Sequence, residues 1–412
     1  MKKIHFIILI AILFLQHCNN SNSITVGTFN IRTSQADDGQ NTWNNRKGLV
    51  LEFIRNQEYS ILGLQEVSAE QYQYLQENLT NYKLAGSGRV DGADRGEAEA
   101  NPIVFNNDRF QLLEHSIFWL SKTPQLKGSK SWNAAYPRIV TWAKFLDRES
   151  EDTFYYFNTH FDHFSKQARK ESALLLLDKI NQIAKLEPFI ISGDFNCLHT
   201  SRPYNILTKR WKYTPLLKPV IKNPGAKKSL FTYNGFEQKT AGKLIDYMFV
   251  SSNIKHKKPQ VHKVIQDGIY ISDHYPITTE IKLTDQKNTY PKTQNALPIG
   301  LYPPYLKNPK RVFTDSLKIT LDCPTEGARI YYTLDGNPPL SGSTGYNQPF
   351  FISETCQLQA RSFKNGDTSA TIQNNFYKSI LDTSENIAEI ILNNPISPEY
   401  YENVPALVDK TT

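Results

Sequence analysis

The stretch Phe189-Ile190-Ile191-Ser192-Gly193-Asp194-Phe195-Asn196 runs from an apolar segment directly into a carboxylate and an amide. Its first three residues have the pattern of a buried strand, and Ser192-Gly193 allows the backbone to leave that strand tightly. Asp194 and Asn196 are two residues apart, so in extended geometry both side chains would project from one face. Such a pair can hold a water, a phosphate or a hard cation, but Asp and Asn are also common in strand-terminating turns. The stretch alone leaves both interpretations open.

The composition is that of a folded chain with a basic excess. The 412 residues suffice for about two or three domains. The content of 39% hydrophobic and 21% charged residues supports packed cores and argues against wholesale disorder. The formal charge is +7, and residues 209–263 hold 13 Lys or Arg but only two acids. That stretch is interpreted either as a patch that attracts a polyanion or as a solvated basic face.

The N-terminus has the pattern of an export signal. Lys2 and Lys3 precede an apolar run over residues 6–15, which is too short to cross a membrane as a helix. The following Leu15-Gln16-His17-Cys18 resembles a bacterial lipobox, although His17 stands where a small residue is usual. We therefore predict that residues 1–17 are an export signal and that an acylated Cys18 anchors a cell-surface or periplasmic lipoprotein. Plain secretion is the alternative.

Residues 24–285 have the pattern of a layered α/β domain. Apolar spacing predicts helices over residues 44–57 and 167–185, between segments that alternate like strands. Several predicted strands end in a polar side chain, and a buried carboxylate needs a partner or a metal. His160 and Asp162 would share a strand face, where the carboxylate can fix the tautomer of the imidazole. The other polar residues at strand ends are Asn30, Glu66, Asn158, Asp246, Asp273 and His274.

Six short motifs together resemble the endonuclease/exonuclease/phosphatase superfamily, the fold of deoxyribonuclease I-like enzymes. In chain order they are Phe29-Asn30, Leu64-Gln65-Glu66-Val67, Asn158-Thr159-His160, Ser192-Gly193-Asp194-Phe195-Asn196, Ile245-Asp246-Tyr247 and Ser272-Asp273-His274. The resemblance implies an α/β fold, a four-layered sandwich of two mainly antiparallel sheets flanked by helices. It also implies that a divalent metal assists hydrolysis of a phosphoester in one cleft. Glu99-Ala100-Asn101-Pro102-Ile103 and Pro137-Arg138 resemble a secreted bacterial branch of the family.

The resemblance implies a role for each of these residues. Magnesium, with manganese as the alternative ion, would be held by oxygen ligands. Asp194 and Asn196 would position the attacking water or a second metal ion, and His274, held by Asp246, would contact the phosphate or transfer protons. Asn158 and His160 would donate to the phosphate oxygens. Arg138 is expected either to bind a substrate phosphate or to form a structural ion pair. The implied metal ligands are Asn30, Glu66 and Asp273.

The composition and the apolar pattern of the sequence change after residue 285. Residues 286–309 are polar and rich in proline and are predicted to be a linker. Short alternating segments over residues 310–378 resemble the chitobiase/β-hexosaminidase C-terminal domain, a small all-β immunoglobulin-like sandwich. Cys323 and Cys356 lie in this domain, where the sequence leaves open a disulfide or two free thiols. Residues 379–412 form a tail that resembles the truncated start of a galactose-binding-like domain.

The predicted function is a secreted or surface-anchored, metal-dependent phosphodiesterase, with a nuclease as the first choice and nucleic acid as its partner. A phosphomonoesterase, or a sphingomyelinase-like or inositol-phosphate-like enzyme, is the alternative on the same fold, since a fold does not choose its substrate. The alternative from another class is a non-catalytic surface binding protein. No partner protein is implied.

Overall fold

The computed structural model describes residues 23–92, 99–211, 214–227, 229–285, 288–289, 301–307, 310–323, 325, 327–364, 366–369 and 371–379. The chain divides into two compact units, residues 1–299 and 300–412. The predicted export signal, Cys18 and the tail beyond residue 379 lie outside the described residues. In the described part, no helix has both the length and the apolar character needed to cross a membrane.

The first unit alternates strands with helices. Its described helices are α1 (Trp43–Asn56), α2 (Ala69–Asn78), α3 (Lys166–Ile183) and α4 (Arg202–Thr208), with a 3₁₀ turn at Gly39–Asn41. Its described strands are β1 (Ile24–Asn30), β2 (Ile61–Gln65), β3 (Tyr82–Ala85), β4 (Ile103–Asn106), β5 (Phe110–Trp119), β6 (Ile139–Asp147), β7 (Thr153–His160), β8 (Phe189–Asp194), β9 (Leu217–Pro219), β10 (Asp246–Ser251), β11 (Ile254–His256), β12 (Gln260–Val261), β13 (Ile265–Gln266), β14 (Ile269–Tyr270) and β15 (Ile277–Leu283).

These strands form two main sheets. One has the order β11-β15-β1-β2-β4-β3, with β12 also on β15, and the other has the order β5-β6-β7-β8-β10-β9. Only the β1–β2 and β7–β8 pairs are parallel among the described pairs of these sheets. The predicted pair of mainly antiparallel sheets is therefore confirmed.

Apolar residues at helical spacing attach the helices to the outer faces of the sheets. In α1, Val50, Phe53 and Ile54 are buried in one cluster with Phe29 and Leu64 of the first sheet. A fully buried side chain of this size contributes about 1.5–3 kcal/mol to the free energy of unfolding. The predicted face of α3 is buried in the same way, at Ala173, Leu176, Leu177 and Ile180.

The two sheets lie face to face, and polar side chains connect them. Tyr156 on β7 donates its hydroxyl to the carbonyl of Gly27 on β1 at 2.6 Å. Gly63 on β2 has no room for a side chain, since an added Cβ would lie 2.3 Å from Ser192 Oγ on β8. This close approach places the ends of β1, β2, β7 and β8 beside one another.

The second unit is all-β, as predicted. Its described strands are β16 (Tyr305–Leu306), β17 (Val312–Phe313), β18 (Leu317–Ile319), β19 (Leu321–Asp322), β20 (Arg329–Thr333), β21 (Thr344–Tyr346), β22 (Phe350–Ile352), β23 (Cys356–Lys364), β24 (Asp367–Thr368) and β25 (Ile372–Lys378). The largest sheet has the order β17-β25-β23-β20-β21, with β24 on β23. Ile319, Leu358, Ala360 and Phe376 form the centre of its core.

Two expectations about this unit change. Residues 301–307, assigned to the linker, belong to the folded unit, because β16 pairs with β19 and Tyr302 is buried. Cys323 and Cys356 are free thiols, and Ser362 Oγ donates to Cys323 Sγ at 3.1 Å. The open choice between a disulfide and free thiols is thus decided for the thiols in this structure.

Candidate active site

A cavity of about 720 Å³ opens where the strands of both sheets end. Parallel pairing brings the carboxyl ends of β1 and β2 together, and those of β7 and β8 likewise. The register aligns His160, Asp194 and Asp246 across three neighbouring strands. Seven of the predicted site residues line the cavity: Glu66, Arg138, His160, Asp194, Asn196, Asp273 and His274.

Two of these residues adopt a left-handed backbone conformation. Glu66 follows β2 with φ of 60°, and Asn196 follows β8 with φ of 47°, a region that costs a non-glycine residue about 1–3 kcal/mol. The N–H of Asn196 donates to Asp194 Oδ1 at 2.8 Å. The backbone therefore does not continue in extended geometry from Asp194 to Asn196, yet both side chains line the cavity.

Asn30 joins two of the carboxylates. Its Nδ2 donates to Glu66 Oε1 at 3.0 Å and to Asp194 Oδ2 at 3.2 Å. Its Oδ1 accepts the backbone N–H of Arg32 at 3.0 Å. In this arrangement Asn30 holds the two carboxylates in place.

Arg32 lies between the other two predicted ligands of the metal. Its guanidinium is 3.9 Å from Glu66 Oε2 and 4.0 Å from Asp273 Oδ2, and it also pairs with Asp38. Burial works against the charged form of Glu66, but the hydrogen bond from Asn30 and the nearby charges lower its pKa. Burial raises the pKa of Asp273.

His274 forms a buried pair with Asp246. The distance from its Nδ1 to Asp246 Oδ2 is 2.8 Å, and its Nε2 lies 3.8 Å from Asp194 Oδ2. Burial opposes a charge on this imidazole, but Asp246 and Asp273 outweigh it and hold the pKa of His274 well above its usual value. Burial and the Asp246 charge raise the pKa of Asp194 to about 7. His274 is thus an imidazolium between two carboxylates.

The carboxylates beside His274 fit a divalent cation, whereas the protonated imidazole has no lone pair to give to a metal. One ligand atom from each of Asp194, Asp246 and His274 lies within 4.8 Å of the other two. Asp246 Oδ1 is buried without a hydrogen-bond partner among the described residues. Carboxylates crowded in this way repel one another unless a cation or a proton lies among them. Magnesium prefers oxygen donors of this type.

His160 is held by a different residue from the one we expected. Its Nε2 lies 2.9 Å from Asn196 Nδ2, whereas Asp162 accepts the N–H groups of Ala135, Phe164 and Ser165. Burial and the nearby Arg138 keep the pKa of His160 well below its usual value, so the ring is neutral. Asn196, not Asp162, therefore orients this imidazole.

Asn158 lies between the two sheets, outside the cavity lining, so a role in substrate binding does not fit its placement. Its Nδ2 donates to the carbonyls of Leu64, Asn101 and Pro102. Its Oδ1 accepts from Gln65 Nε2 at 2.7 Å and from Ser192 Oγ at 3.1 Å. The carboxamide is fully buried. It joins the sheets directly beneath the site.

Replacing Asn158 with leucine is expected to destabilise the first unit by about 3 kcal/mol, because several buried polar partners lose their hydrogen bonds. Thermal unfolding followed by circular dichroism would measure this. The exposed Asn44 is the control, and Asn44→Leu should leave the melting temperature nearly unchanged. Unchanged stability of Asn158→Leu with a raised KM would instead indicate substrate binding.

Sequence reasoning did not single out part of the cavity wall. Arg89 and Tyr136 line it, together with Arg32, Arg169 and Lys243. Arg138 is 5% exposed and lies 3.7 Å from Asp162, while its Nε has no hydrogen-bond partner among the described residues. Tyr136 adjoins the quoted Pro137-Arg138, but no local pattern marks Arg89, because only the fold brings it to the site.

Comparisons with known proteins agree with this geometry. The Endonuclease/Exonuclease/phosphatase family model matches residues 27–274, and the Chitobiase/beta-hexosaminidase C-terminal domain matches residues 309–374. An endonuclease/exonuclease/phosphatase structure from Bacteroides vulgatus is 32% identical, with a TM-score of 0.59, over 63% of this chain and 99% of that one. A mannosyl-6-phosphatase from Bacteroides thetaiotaomicron is 30% identical, with a TM-score of 0.57, over 63% of this chain and all of that one.

One curated relative also matches. Uncharacterized protein L388 of Acanthamoeba polyphaga mimivirus is 29% identical over 163 residues, which are 37% of this chain and 59% of that protein. The match therefore spans less than two thirds of the relative's length.

Proposed function

The chain belongs to the endonuclease/exonuclease/phosphatase family, and from that premise we propose that it is a divalent-metal-dependent phosphomonoesterase for a small phosphorylated molecule. Hydrolysis of phosphoester bonds is the chemistry of the family. The specific substrate class and the metal are the proposal, and the N-terminal pattern supports action after export.

The observation that carries the proposal is the pairing of a carboxylate floor with a guanidinium wall in one cavity. Glu66, Asp194 and Asp273 line the floor, and Arg89 and Arg138 line the wall. A phosphomonoester is a dianion with three non-bridging oxygens, so it gains from cations on more than one side. A volume of about 720 Å³ suits a small molecule.

Several features favour a small substrate over a nucleic acid. The carboxylate of Glu99 lies in the wall and would repel a second phosphate. In the basic stretch, Lys209 and Lys263 lie over the rings of Trp211 and Phe231 of the same domain. The 30% identical relative named a mannosyl-6-phosphatase acts on a monoester. These observations support the phosphomonoesterase over our first choice, a nuclease.

The residues of the chain supply the remaining chemistry. A pKa of about 7 allows Asp194 to take a proton from water near neutral pH. The imidazolium of His274, held by Asp246, places a positive charge and a donor beside that carboxylate. A divalent ion, when bound, would supply Lewis acidity and a lower pKa for water.

The test is a substrate panel assayed with magnesium: p-nitrophenyl phosphate, bis(p-nitrophenyl) phosphate, plasmid and single-stranded DNA. We expect kcat/KM for the monoester to exceed that for the diester by about 100-fold, on the order seen when a site built for one substrate rejects an analogue. Both DNA substrates should remain uncleaved. Glu66→Ala and added chelator should abolish the activity. Faster diester hydrolysis or degraded DNA would reject the phosphomonoesterase.

Metal binding should depend on pH through Asp194. A cation binds the carboxylate form of Asp194, whose pKa is about 7. At a pH below that pKa the cation must displace a proton from Asp194, so the affinity for magnesium falls as the pH falls. The slope should approach about tenfold per pH unit between pH 5.5 and 6.5 and flatten above pH 7.5. Isothermal titration calorimetry with magnesium would measure it. Asp194→Asn should flatten the profile, whereas Asp147→Asn, at a buried carboxylate outside the cavity lining, should retain it.

A further inference from the structure

We propose that Arg89, Glu99 and Tyr136 form a recognition site for the leaving group of the substrate, and that this group is a polyhydroxylated ring. The substrate would then be a sugar phosphate. The inference rests on the proposed phosphomonoesterase function and names the molecule that this function would act on.

Arg89 and Glu99 form a fixed pair. Arg89 Nη1 lies 2.5 Å from Glu99 Oε2, and the backbone N–H of Arg89 donates to the carbonyl of Glu99 at 3.0 Å. Trp119 Nε1 donates to the carbonyl of Arg89 at 2.6 Å. Both side chains are about one sixth exposed and line the cavity. The pair is therefore ordered before any substrate arrives.

Backbone pairing attaches this wall to the metal-binding floor. Ala100, next to Glu99, exchanges two hydrogen bonds with Val67, next to Glu66, at 2.8 and 3.1 Å. Burial raises the pKa of Glu99, and the nearby charge of Glu66 adds to that rise. A phosphate held at Glu66 would thus leave its organic substituent within reach of Arg89 and Glu99.

Tyr136 adds an aromatic surface. It is half exposed and lines the same cavity. The Arg89 guanidinium carbon lies 4.8 Å from its ring centre, and that of Arg138 lies 6.0 Å from it. These contacts hold the ring in place and leave part of it open to a ligand.

The three groups match the chemistry of a sugar ring. The carboxylate of Glu99 accepts hydrogen bonds from hydroxyls, and the remaining N–H groups of Arg89 donate to them. The apolar side of the ring can pack on Tyr136. An alkyl chain would remove water from the Arg89–Glu99 ion pair without replacing the lost hydrogen bonds. A second phosphate would be repelled by the negative charge of Glu99.

The test compares hexose 6-phosphates (mannose and glucose) with phenyl phosphate. The ratio of their kcat/KM values should favour the sugar in the wild type and fall at least about tenfold in Glu99→Gln and Tyr136→Leu, because a buried polar group or a contact surface is lost. Binding of a hexose 6-sulfate, measured by calorimetry, should weaken in parallel. Glu187→Gln and Tyr74→Leu are matched controls outside the cavity lining. Glu187 pairs with Lys144, and Lys47 lies over the ring of Tyr74. Both variants should keep the wild-type ratio of kcat/KM values.

The outcomes separate the two proposals. If the wild type hydrolyses phenyl phosphate at least as well as the sugar phosphates, this inference fails and the phosphomonoesterase stands. An unchanged ratio in both folded variants would also overturn it. If no phosphomonoester is hydrolysed, the proposed function itself fails. If either variant does not fold, Arg89→Lys replaces it in the test. This substitution retains the charge but loses the planar fork, so the ratio of kcat/KM should fall in the same way.

Discussion

Replacing His274 with alanine is expected to lower kcat for phosphomonoester hydrolysis by about 10²- to 10⁴-fold, the range for losing a positioned proton-transfer group. The reason is the buried pair it forms with Asp246 at 2.8 Å. Asp246→Asn should cause a comparable loss, because the charge that keeps the imidazole protonated is removed. Steady-state kinetics with p-nitrophenyl phosphate would measure both.

The double variant decides whether the pair acts as one unit. His274→Ala combined with Asp246→Asn should cost no more than about the larger single loss, since groups that work together are strongly non-additive. Losses that multiply would contradict the pairing. His115→Ala is the control, because His115 is exposed and does not line the cavity.

Replacing Arg46 with methionine is expected to reduce the free energy of unfolding by about 3 kcal/mol, as buried acceptors lose their donor. Arg46 is fully buried on α1. Its guanidinium donates to the carbonyls of Ile31, Arg32 and Ile271. These carbonyls lie directly beside the segments that carry Asn30 and Asp273. Burial lowers the pKa of Arg46 to about 10, so it stays charged.

Because Arg46 holds two loops of the site, the substitution should also weaken magnesium binding. Thermal unfolding and calorimetric titration of the folded fraction would report the two effects separately. Arg55→Met is a control on the same helix, where an exposed guanidinium donates to the carbonyl of Asn78 at 2.6 Å. Its cost should stay within about 0.5 kcal/mol. Equal losses for Arg46→Met and Arg55→Met would contradict the special position of Arg46.

The local sequence pattern predicted those features that depend on a single helix or strand. The helix predicted over residues 167–185 is α3, Lys166–Ile183, because one apolar stripe determines both its existence and its buried face. The strand ends were also predicted, since an apolar run that stops at a carboxylate marks the rim of a sheet. Residues 301–307 were missed because a two-residue strand such as β16 has too short a pattern to recognise.

The local sequence pattern did not predict where a side chain points when its contacts come from the other sheet. Asn158 and His160 are two residues apart on β7, yet the first joins the sheets and the second lines the cavity. Asn30 turns its amide nitrogen toward the carboxylates because Glu66 and Asp194 converge on it from two sheets. No spacing within one strand contains that information.

The sequence by itself determined the family, the layered α/β and all-β organisation, and the chemical types gathered at the strand ends. Those properties follow from periodicity and from motifs whose residues are neighbours in the chain. Only the tertiary structure decided which side chains share the cavity of Asp194 and Asn196. Arg89 and Tyr136 reach it from separate segments, and contacts between distant segments depend on how the sheets and loops pack, which no local pattern records.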